Sequence, residues 1–188
     1  MQKAEQYVDK FFLAGVSLAD VLDGIIARAL VHIGAEWAAK TITIFEEHRM
    51  SFIVRMHLLH LDRYLPEPKG RMQKSAVVAC PPGEHHEIPT QMLGLVLKEA
   101  GWKTDMLGIN VPVAEMEKAI IATKAKLLCV TCTYTQRRPS ATLQRLRNFM
   151  TTCKGVLAFG GSGWGTAATP QGAQRFFSLQ EFAKYLQK

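Results

Sequence analysis

From residue 75 onward, short apolar runs alternate with segments in which apolar residues recur at helical spacing. Strands are predicted at 75–80, 103–107, 127–133, 156–160 and 175–177, and helices at 88–101, 113–123, 140–151 and 179–187. Strands that are separated by helices pair in parallel and place helices on both faces of the sheet. The pattern therefore predicts an α/β fold with a doubly wound, Rossmann-like or flavodoxin-like sheet.

The chain before residue 65 has no strand pattern and predicts a helical bundle. Helices are expected over 2–14, from Ser17 to between Gly34 and Ala38, and from Thr41 or Thr43 to about residue 64. The third helix carries more apolar residues than one face requires, so a central position in the bundle is expected. The Pro- and Gly-containing stretch 66–70 is typical of a linker. We expect a bundle at 1–65, a linker at 66–74 and a Rossmann-like domain at 75–188.

Composition narrows the class of protein. The chain has 188 residues, of which 48% are hydrophobic, as in an ordinary globular protein with a core. No apolar run approaches the roughly 20 residues of a membrane span, and the first residues are polar and of mixed charge without a signal-peptide core, so a cytoplasmic protein is expected. The net charge is +7, but no helix-turn-helix, zinc-finger or RNA-binding motif accompanies it.

The four cysteines are too few and too scattered for a disulfide scaffold. Cys129 and Cys132 form a C-x-x-C inside a predicted strand, where side chains three residues apart point to opposite faces. Buried structural cysteines are therefore expected.

The loop after the first predicted strand carries Glu84, His85, His86 and Glu87. Open α/β sheets bind ligands at the carboxyl ends of their strands. A neutral imidazole is a common metal ligand, and a carboxylate that accepts its second N–H sets the tautomer. We interpret His86 as a metal ligand oriented by Glu84. One imidazole holds a bare ion weakly, so the metal is expected inside a macrocycle. A capped, solvated turn is the alternative.

Polar and glycine residues follow two further predicted strands at the same sheet edge. Thr131 and Thr133 place hydroxyl groups there, although threonine also simply suits a pleated strand. Gly160, Gly161 and Ser162 open a glycine-rich loop that lets the backbone approach a ligand closely. A flexible surface loop is the alternative for this segment.

The helical half contributes Trp37, Glu47 and His48. Adjacent helical residues diverge by about 100 degrees, so Glu47 and His48 are not expected to point into one core. Taken singly, these residues predict a core tryptophan and a surface glutamate.

In this order, the motifs resemble the cobalamin-binding module of CarH-type (MerR-family) light-responsive regulators, within the methionine-synthase-like cobalamin-binding superfamily. The resemblance covers nearly the whole chain. The matching stretches are Trp37 followed after nine residues by Glu47-His48 (W-x9-E-H), residues 83–89 (E-x-H-x-x-G), residues 107–112 (L-G-x-x-x-P), and Thr131-x-Thr133 with 26 residues before Gly160-Gly161 (S-x-L…G-G).

The resemblance implies a role for each of these residues. His86 would be the lower axial ligand of cobalt, oriented by Glu84. A channel for the nucleotide tail would be lined by Thr131, Thr133, Gly160 and Gly161, with Ser162 beside them. The upper face, where adenosylcobalamin carries its adenosyl group, would be covered by Trp37, Glu47 and His48. The implied function is a non-enzymatic light sensor that regulates a protein partner or an attached transcriptional regulator, as a homo-oligomer or with that partner.

The sequence departs from the family motifs at two positions, and other cofactors and roles therefore stay open. Pro89 stands where the loop motif has glycine, and its ring occupies space for the nucleotide tail. Haem or a biliverdin-type bilin lacks that tail, and Cys80 or Cys132 is the candidate attachment site for a covalent bilin. Ala38 follows Trp37, where some light sensors carry a cobalt-capturing histidine. A corrinoid carrier in methyl transfer is a further alternative.

Overall fold

The structure is a computed structural model that describes residues 10, 14–67, 74–134 and 139–187. The chain divides into two compact units, Met1–Pro66 and Glu67–Lys188. The helix predicted over 2–14 lies almost entirely outside the described residues. In the described part of the first unit the regular structure is helical, and the second unit holds the sheet, which confirms the predicted fold class.

The described part of the first unit contains two long helices. Helix α1 covers residues 18–38, with α-helical Leu18–Val21, π-helical Leu22–Ala27 and α-helical Arg28–Ala38. Helix α2, Ile44–Asp62, begins at a capping box in which Thr43 and Glu46 satisfy each other's backbone N–H groups. The buried apolar residues of this unit are Leu18, Ala19, Val21, Leu22, Ile26, Leu58, Leu61 and Leu65.

Helix α2 is apolar on two sides, but only one side is buried. Phe45, Phe52, Met56 and Leu59 are between 42% and 70% exposed. Their spacing of seven, four and three residues aligns them in one stripe along the helix, while Leu58 and Leu61 lie on the buried side. The expected central position of this helix in a bundle is therefore not observed among the described residues.

The second unit is a parallel sheet with the strand order β2-β1-β3-β4-β5. Its strands are β1 Ser75–Ala79, β2 Lys103–Gly108, β3 Leu127–Thr131, β4 Val156–Gly160 and β5 Gln174–Phe176. Its helices are α3 Ile88–Glu99, α4 Val113–Thr123, α5 Pro139–Thr152 and α6 Leu179–Leu186. This is the flavodoxin-like order of a doubly wound sheet, as predicted.

The apolar strands β1 and β3 lie in the core of the sheet unit. Strand β3 is buried along its whole length, and in β1 only Ser75 is partly exposed. Helix α3 packs beside α6, and α4 packs beside α5. The strand order reverses between β1 and β3, and such a switch point opens a crevice at the carboxyl ends of the two strands. The loops that follow β1 and β3 therefore form the expected ligand site.

Among the described residues, no helix is both long enough and apolar enough to cross a membrane.

Candidate cofactor site

Glu84 lies at the centre of the site, and its residue surface is completely buried. Its Oε1 atom accepts hydrogen bonds from the backbone N–H of His86 at 2.7 Å and from the imidazole Nδ1–H of His86 at 2.6 Å. Its Oε2 atom accepts from the backbone N–H groups of Thr133 and Tyr134, the latter at 2.7 Å. One carboxylate therefore ties the loop after β1 to the segment after β3.

The surroundings of Glu84 keep it ionised. Burial alone would raise the pKa of this carboxyl, but the hydrogen bonds from Tyr134, His86 and Thr133 outweigh it and lower the pKa from 4.5 to about 2. Four donors thus face a full negative charge at neutral pH. An ionised carboxylate only accepts hydrogen bonds, so the His86 imidazole carries its proton on Nδ1.

His86 is presented in the form that a metal requires. With Nδ1–H held by Glu84, the Nε2 lone pair points away from the carboxylate, and 53% of the side chain is exposed. A carboxylate behind an imidazole is the usual second partner of a metal-bound histidine. Of the two adjacent histidines, His86 is the one whose imidazole contacts Glu84. Nowhere in the described residues do three or more His, Cys, Asp or Glu side chains group as a bare ion would need. These donors fit a metal whose remaining ligands come from a macrocycle.

Asn110 supports the loop from the neighbouring strand end. Its side-chain Oδ1 accepts from Gly83 N–H at 2.8 Å, and its own N–H donates to the Glu84 carbonyl at 2.9 Å. The residue has a left-handed backbone (φ 52°), which asparagine adopts more readily than most residues. Sequence reasoning included Asn110 only within the 107–112 motif and assigned it no role. The sequence signal for this supporting role was the position of an asparagine just after a predicted strand.

Strand β3 ends at Thr131, two residues earlier than predicted. The N–H of Thr133 donates to Glu84 and is therefore not used in the sheet. Thr131 is buried, and its hydroxyl lies 2.8 Å from that of Thr90 and 3.4 Å from the Cys80 thiol. The Thr131 side chain thus contacts the protein interior, and its predicted contact with a nucleotide tail stays a prediction. Sequence reasoning missed Thr90, whose position two residues after the start of α3 was the only signal.

The glycine-rich loop approaches the chain's own backbone. Gly161 has φ 103° and ψ 154°, and a Cβ atom there would overlap the Cys132 carbonyl oxygen. At Gly160 a Cβ atom would lie 2.9 Å from the Phe176 carbonyl oxygen. The exposed Ser162 donates to the Thr133 carbonyl at 3.2 Å. Packing against neighbouring backbone, of strand β5 at Gly160 and of the segment after β3 at Gly161, already requires these glycines, and their contact with a ligand stays a prediction.

Of the three predicted residues of the helical unit, Trp37 and His48 are exposed and Glu47 is half-buried. Trp37 is 50% exposed, so the expectation of a core tryptophan is wrong. The Glu47 and His48 side chains are adjacent and contact each other through Glu47 Oε2 and His48 Nδ1, and Glu47 Oε1 accepts from Ser51 at 2.7 Å. The long glutamate side chain bends toward its neighbour, which overcomes the angular separation of adjacent helical positions. Their predicted place over a cofactor's upper face stays a prediction.

The sheet unit matches a known family. Residues 74–155 match the family model described as the B12 binding domain. The match contains both the loop with Glu84 and His86 and the end of β3 with Thr131 and Thr133. A B12-binding domain binds cobalamin, which confirms cobalamin as the predicted cofactor, whereas its adenosyl group stays a prediction. Cys80 and Cys132 are both buried, so neither is the reachable thiol expected for a covalent bilin.

Two curated repressors of Myxococcus xanthus resemble the chain. The HTH-type transcriptional repressor CarH is 32% identical over 110 residues, 58% of this chain and 36% of the repressor. The HTH-type transcriptional repressor CarA is 30% identical over 109 residues, 57% of this chain and 35% of the repressor. The match thus spans about a third of the length of these curated relatives. The predicted resemblance to CarH-type cobalamin-binding modules is confirmed.

Solved structures share the fold of this chain. The monomethylamine corrinoid protein of Methanosarcina barkeri matches with a TM-score of 0.71 and 15% identity, covering 96% of this chain and 87% of that chain. The methanol:cobalamin methyltransferase complex MtaBC from the same organism matches with a TM-score of 0.50 and 14% identity, covering 91% of this chain and 67% of that chain. At these identities the likeness concerns the fold alone.

Proposed function

We propose that the chain is a cobalamin-binding sensory module that responds to light through adenosylcobalamin and passes its state to a protein partner or an attached transcriptional regulator. The observation that carries the proposal is the Glu84–His86 pair, in which a buried, ionised carboxylate holds Nδ1 and leaves Nε2 for a metal. The similarity to two transcriptional repressors supports a regulatory role and not an enzymatic one.

In this proposal each residue has a defined task. His86 would hold the metal of the cofactor through Nε2, and Glu84 holds the Nδ1 proton and raises the basicity of the ring. Trp37, Glu47 and His48 would contact the adenosyl group. Adenosylcobalamin, when bound, would supply a light-sensitive cobalt–carbon bond. The exposed Trp37 would pass the presence or absence of the adenosyl group to the surface of the helical unit, where an interface with a partner would form or break.

Absorption spectroscopy tests the proposal directly. The purified protein is mixed with adenosylcobalamin in the dark, freed of unbound cofactor, and its spectrum is recorded before and after illumination. We expect bound cofactor, a spectral change in light, and an accompanying change in the size of the protein or of its complex with a partner. His86→Ala should remove the spectral features of histidine coordination. His85→Ala is the matched control, and it should behave as the wild type because His85 does not contact Glu84.

Other outcomes would identify the alternative cofactors and roles. A Soret band from iron or red-absorbing bands from a bilin, in protein isolated from a host that makes all three cofactors, would contradict cobalamin sensing. Methylation of the bound corrinoid by a methyltransferase, without any light response, would indicate a carrier in methyl transfer. The fold is shared with a corrinoid protein, so the fold by itself does not separate a carrier from a sensor.

A further inference from the structure

Three buried polar side chains connect the end of β3 to the backbone of His86. The hydroxyl of Thr131 lies 2.8 Å from the hydroxyl of Thr90, which in turn lies 2.8 Å from the thiol of Cys80. That thiol lies 3.6 Å from the carbonyl oxygen of His86. Cys80 and Thr90 are fully buried and Thr131 is 8% exposed. A continuous polar path therefore runs through the interior beneath the loop.

The direction of each hydrogen bond in this path follows from its last member. A carbonyl oxygen only accepts, so the Cys80 thiol donates to His86. The sulfur then accepts from Thr90, and the Thr90 oxygen accepts from Thr131. Each of the three groups uses its one proton, and none is left without a partner.

We propose that Cys80, Thr90 and Thr131 are positioning residues for His86. Glu84 holds the imidazole and the backbone N–H of His86, and the Cys80 thiol holds its carbonyl group. Because His86 is held at its imidazole and N–H by Glu84 and at its carbonyl group by Cys80, it has one orientation relative to the sheet. A buried polar group that loses its partner is costly, so the path favours a single loop arrangement.

The same contacts join the loop to β3. Thr131 is the last residue of that strand, and Thr133 and Tyr134 just beyond it donate to Glu84. A displacement of the end of β3 therefore reaches His86 along two separate routes. This inference rests on the proposed function, because it assigns the path a purpose only if His86 binds the cofactor.

The test compares Thr90→Val with Thr90→Ser. Valine has the shape of threonine but lacks the hydroxyl, so the two 2.8 Å contacts of the path are lost with little change in volume and only the 3.4 Å contact between Thr131 and the Cys80 thiol is left, whereas serine keeps the hydroxyl. With hydroxocobalamin as the probe, we expect Thr90→Val to raise the Kd about tenfold and to lower the fraction of cofactor with histidine coordination. Thr90→Ser should stay within about twofold of the wild type, because the path is intact.

A control separates positioning from general stability. Val96 lies in the same helix and is 1% exposed, far along the helix from the loop. Val96→Ala should lower the unfolding midpoint without changing the cobalamin spectrum. If Thr90→Val lowers the midpoint but keeps the wild-type Kd and spectrum, the path only stabilises the fold and the proposal is overturned.

A measurement without cofactor distinguishes this proposal from the proposed function. Nitrogen-15 NMR of the cofactor-free protein reports which imidazole nitrogen of His86 carries the proton. We expect the Nδ1–H form to dominate in the wild type and in Thr90→Ser, and to lose population in Thr90→Val. An unchanged population in Thr90→Val overturns the positioning role. Failure of the wild type to bind hydroxocobalamin, with the NMR result as expected, overturns the proposed function and leaves the positioning of the side chain supported.

Discussion

At the residue scale, the site depends on how Glu84 remains charged while buried. Its two oxygens receive four hydrogen bonds, two from His86 and one each from Thr133 and Tyr134. Charged groups are rarely buried without such compensation, because desolvation of a carboxylate is costly. The carboxylate therefore serves the loop structure and the orientation of the imidazole together.

Glu84→Gln is expected to destabilise the sheet unit and to loosen His86. The glutamine amide presents N–H groups on one side, where they face other donors, so at least one buried donor loses its acceptor. We expect a loss of about 1–3 kcal/mol in the free energy of unfolding at pH 7, measured by urea denaturation. Glu115→Gln is the control, because Glu115 pairs with Lys118 on the surface and such pairs contribute little. Equal effects of the two substitutions would contradict this account.

The same carboxyl predicts a pH dependence. Its pKa is about 2 in the folded protein and 4.5 in the reference state. A lowered pKa means that its stabilisation is fully present above pH 4.5 and is lost as the pH falls toward 2. The difference in stability between the wild type and Glu84→Gln should therefore narrow over this range in urea titrations. A constant difference from pH 7 to pH 3 would show that the charge of Glu84 is not the stabilising factor.

At the element scale, the ends of β3 and β4 are held together by their loops. The Cys132 N–H donates to the Gly160 carbonyl at 3.0 Å, and the Gly163 N–H donates to the Cys132 carbonyl at 2.9 Å. Arg175 in β5 fixes the far side of the glycine-rich loop by donating to the carbonyls of Gly165 and Ala167, at 2.6 and 2.9 Å. The loop is thus an ordered part of the sheet edge that adjoins Glu84.

Gly161→Ala should be strongly destabilising, since its Cβ atom would overlap the Cys132 carbonyl in a backbone region that only glycine adopts easily. Gly165→Ala is a matched control, because Gly165 also has a positive φ but a Cβ atom at that position would have no neighbour within 4 Å. We expect roughly 1–3 kcal/mol for Gly165→Ala from backbone strain, and at least about 1 kcal/mol more for Gly161→Ala. Urea denaturation measures both. Similar losses would contradict the steric argument.

Thr43→Ala is expected to loosen the start of α2, where Glu47 and His48 lie. Thr43 Oγ1 accepts from the Glu46 N–H at 3.2 Å, and the Glu46 side chain accepts from the Thr43 N–H at 2.8 Å. Loss of a helix cap costs about 1 kcal/mol. Amide hydrogen exchange should therefore be faster in the first turn of α2 in Thr43→Ala and unchanged in Thr43→Ser, which keeps the cap. Equal exchange in all three proteins would contradict a role for the cap.

At the scale of the whole molecule, a helical unit and a sheet unit share one chain, and the residues with metal-binding geometry belong to the sheet unit. A ligand that binds only the folded state raises the free energy of unfolding, and the increase grows with the logarithm of the ligand concentration. Cobalamin should therefore stabilise the unit that contains His86.

Hydroxocobalamin at 100 times its Kd is expected to raise the free energy of unfolding of the sheet unit by about 2.7 kcal/mol. Differential scanning calorimetry measures the shift, and removal of the cofactor should reverse it. His86→Ala should need a higher cobalamin concentration for the same shift, whereas His85→Ala should not. A shift of equal size in His86→Ala at equal concentration would show that this imidazole does not hold the cofactor.

The sequence alone determined the order of the strands and long helices in the described chain, because short apolar runs and helical spacing depend only on which positions are apolar. It also indicated Glu84 and His86, because the two residues lie in one short loop after a strand. The resemblance to a cobalamin-binding family depended on four local spacings, and these are likewise properties of the sequence.

Only the tertiary structure decided which groups complete the site. The donors from Thr133 and Tyr134 lie 49 and 50 residues from Glu84 along the chain, and Thr131 lies 41 residues from Thr90. No local pattern encodes such pairs, since they arise when parallel strands bring distant loops to one sheet edge. Likewise, the exposure of Trp37 follows from how the helices pack and not from its apolar character.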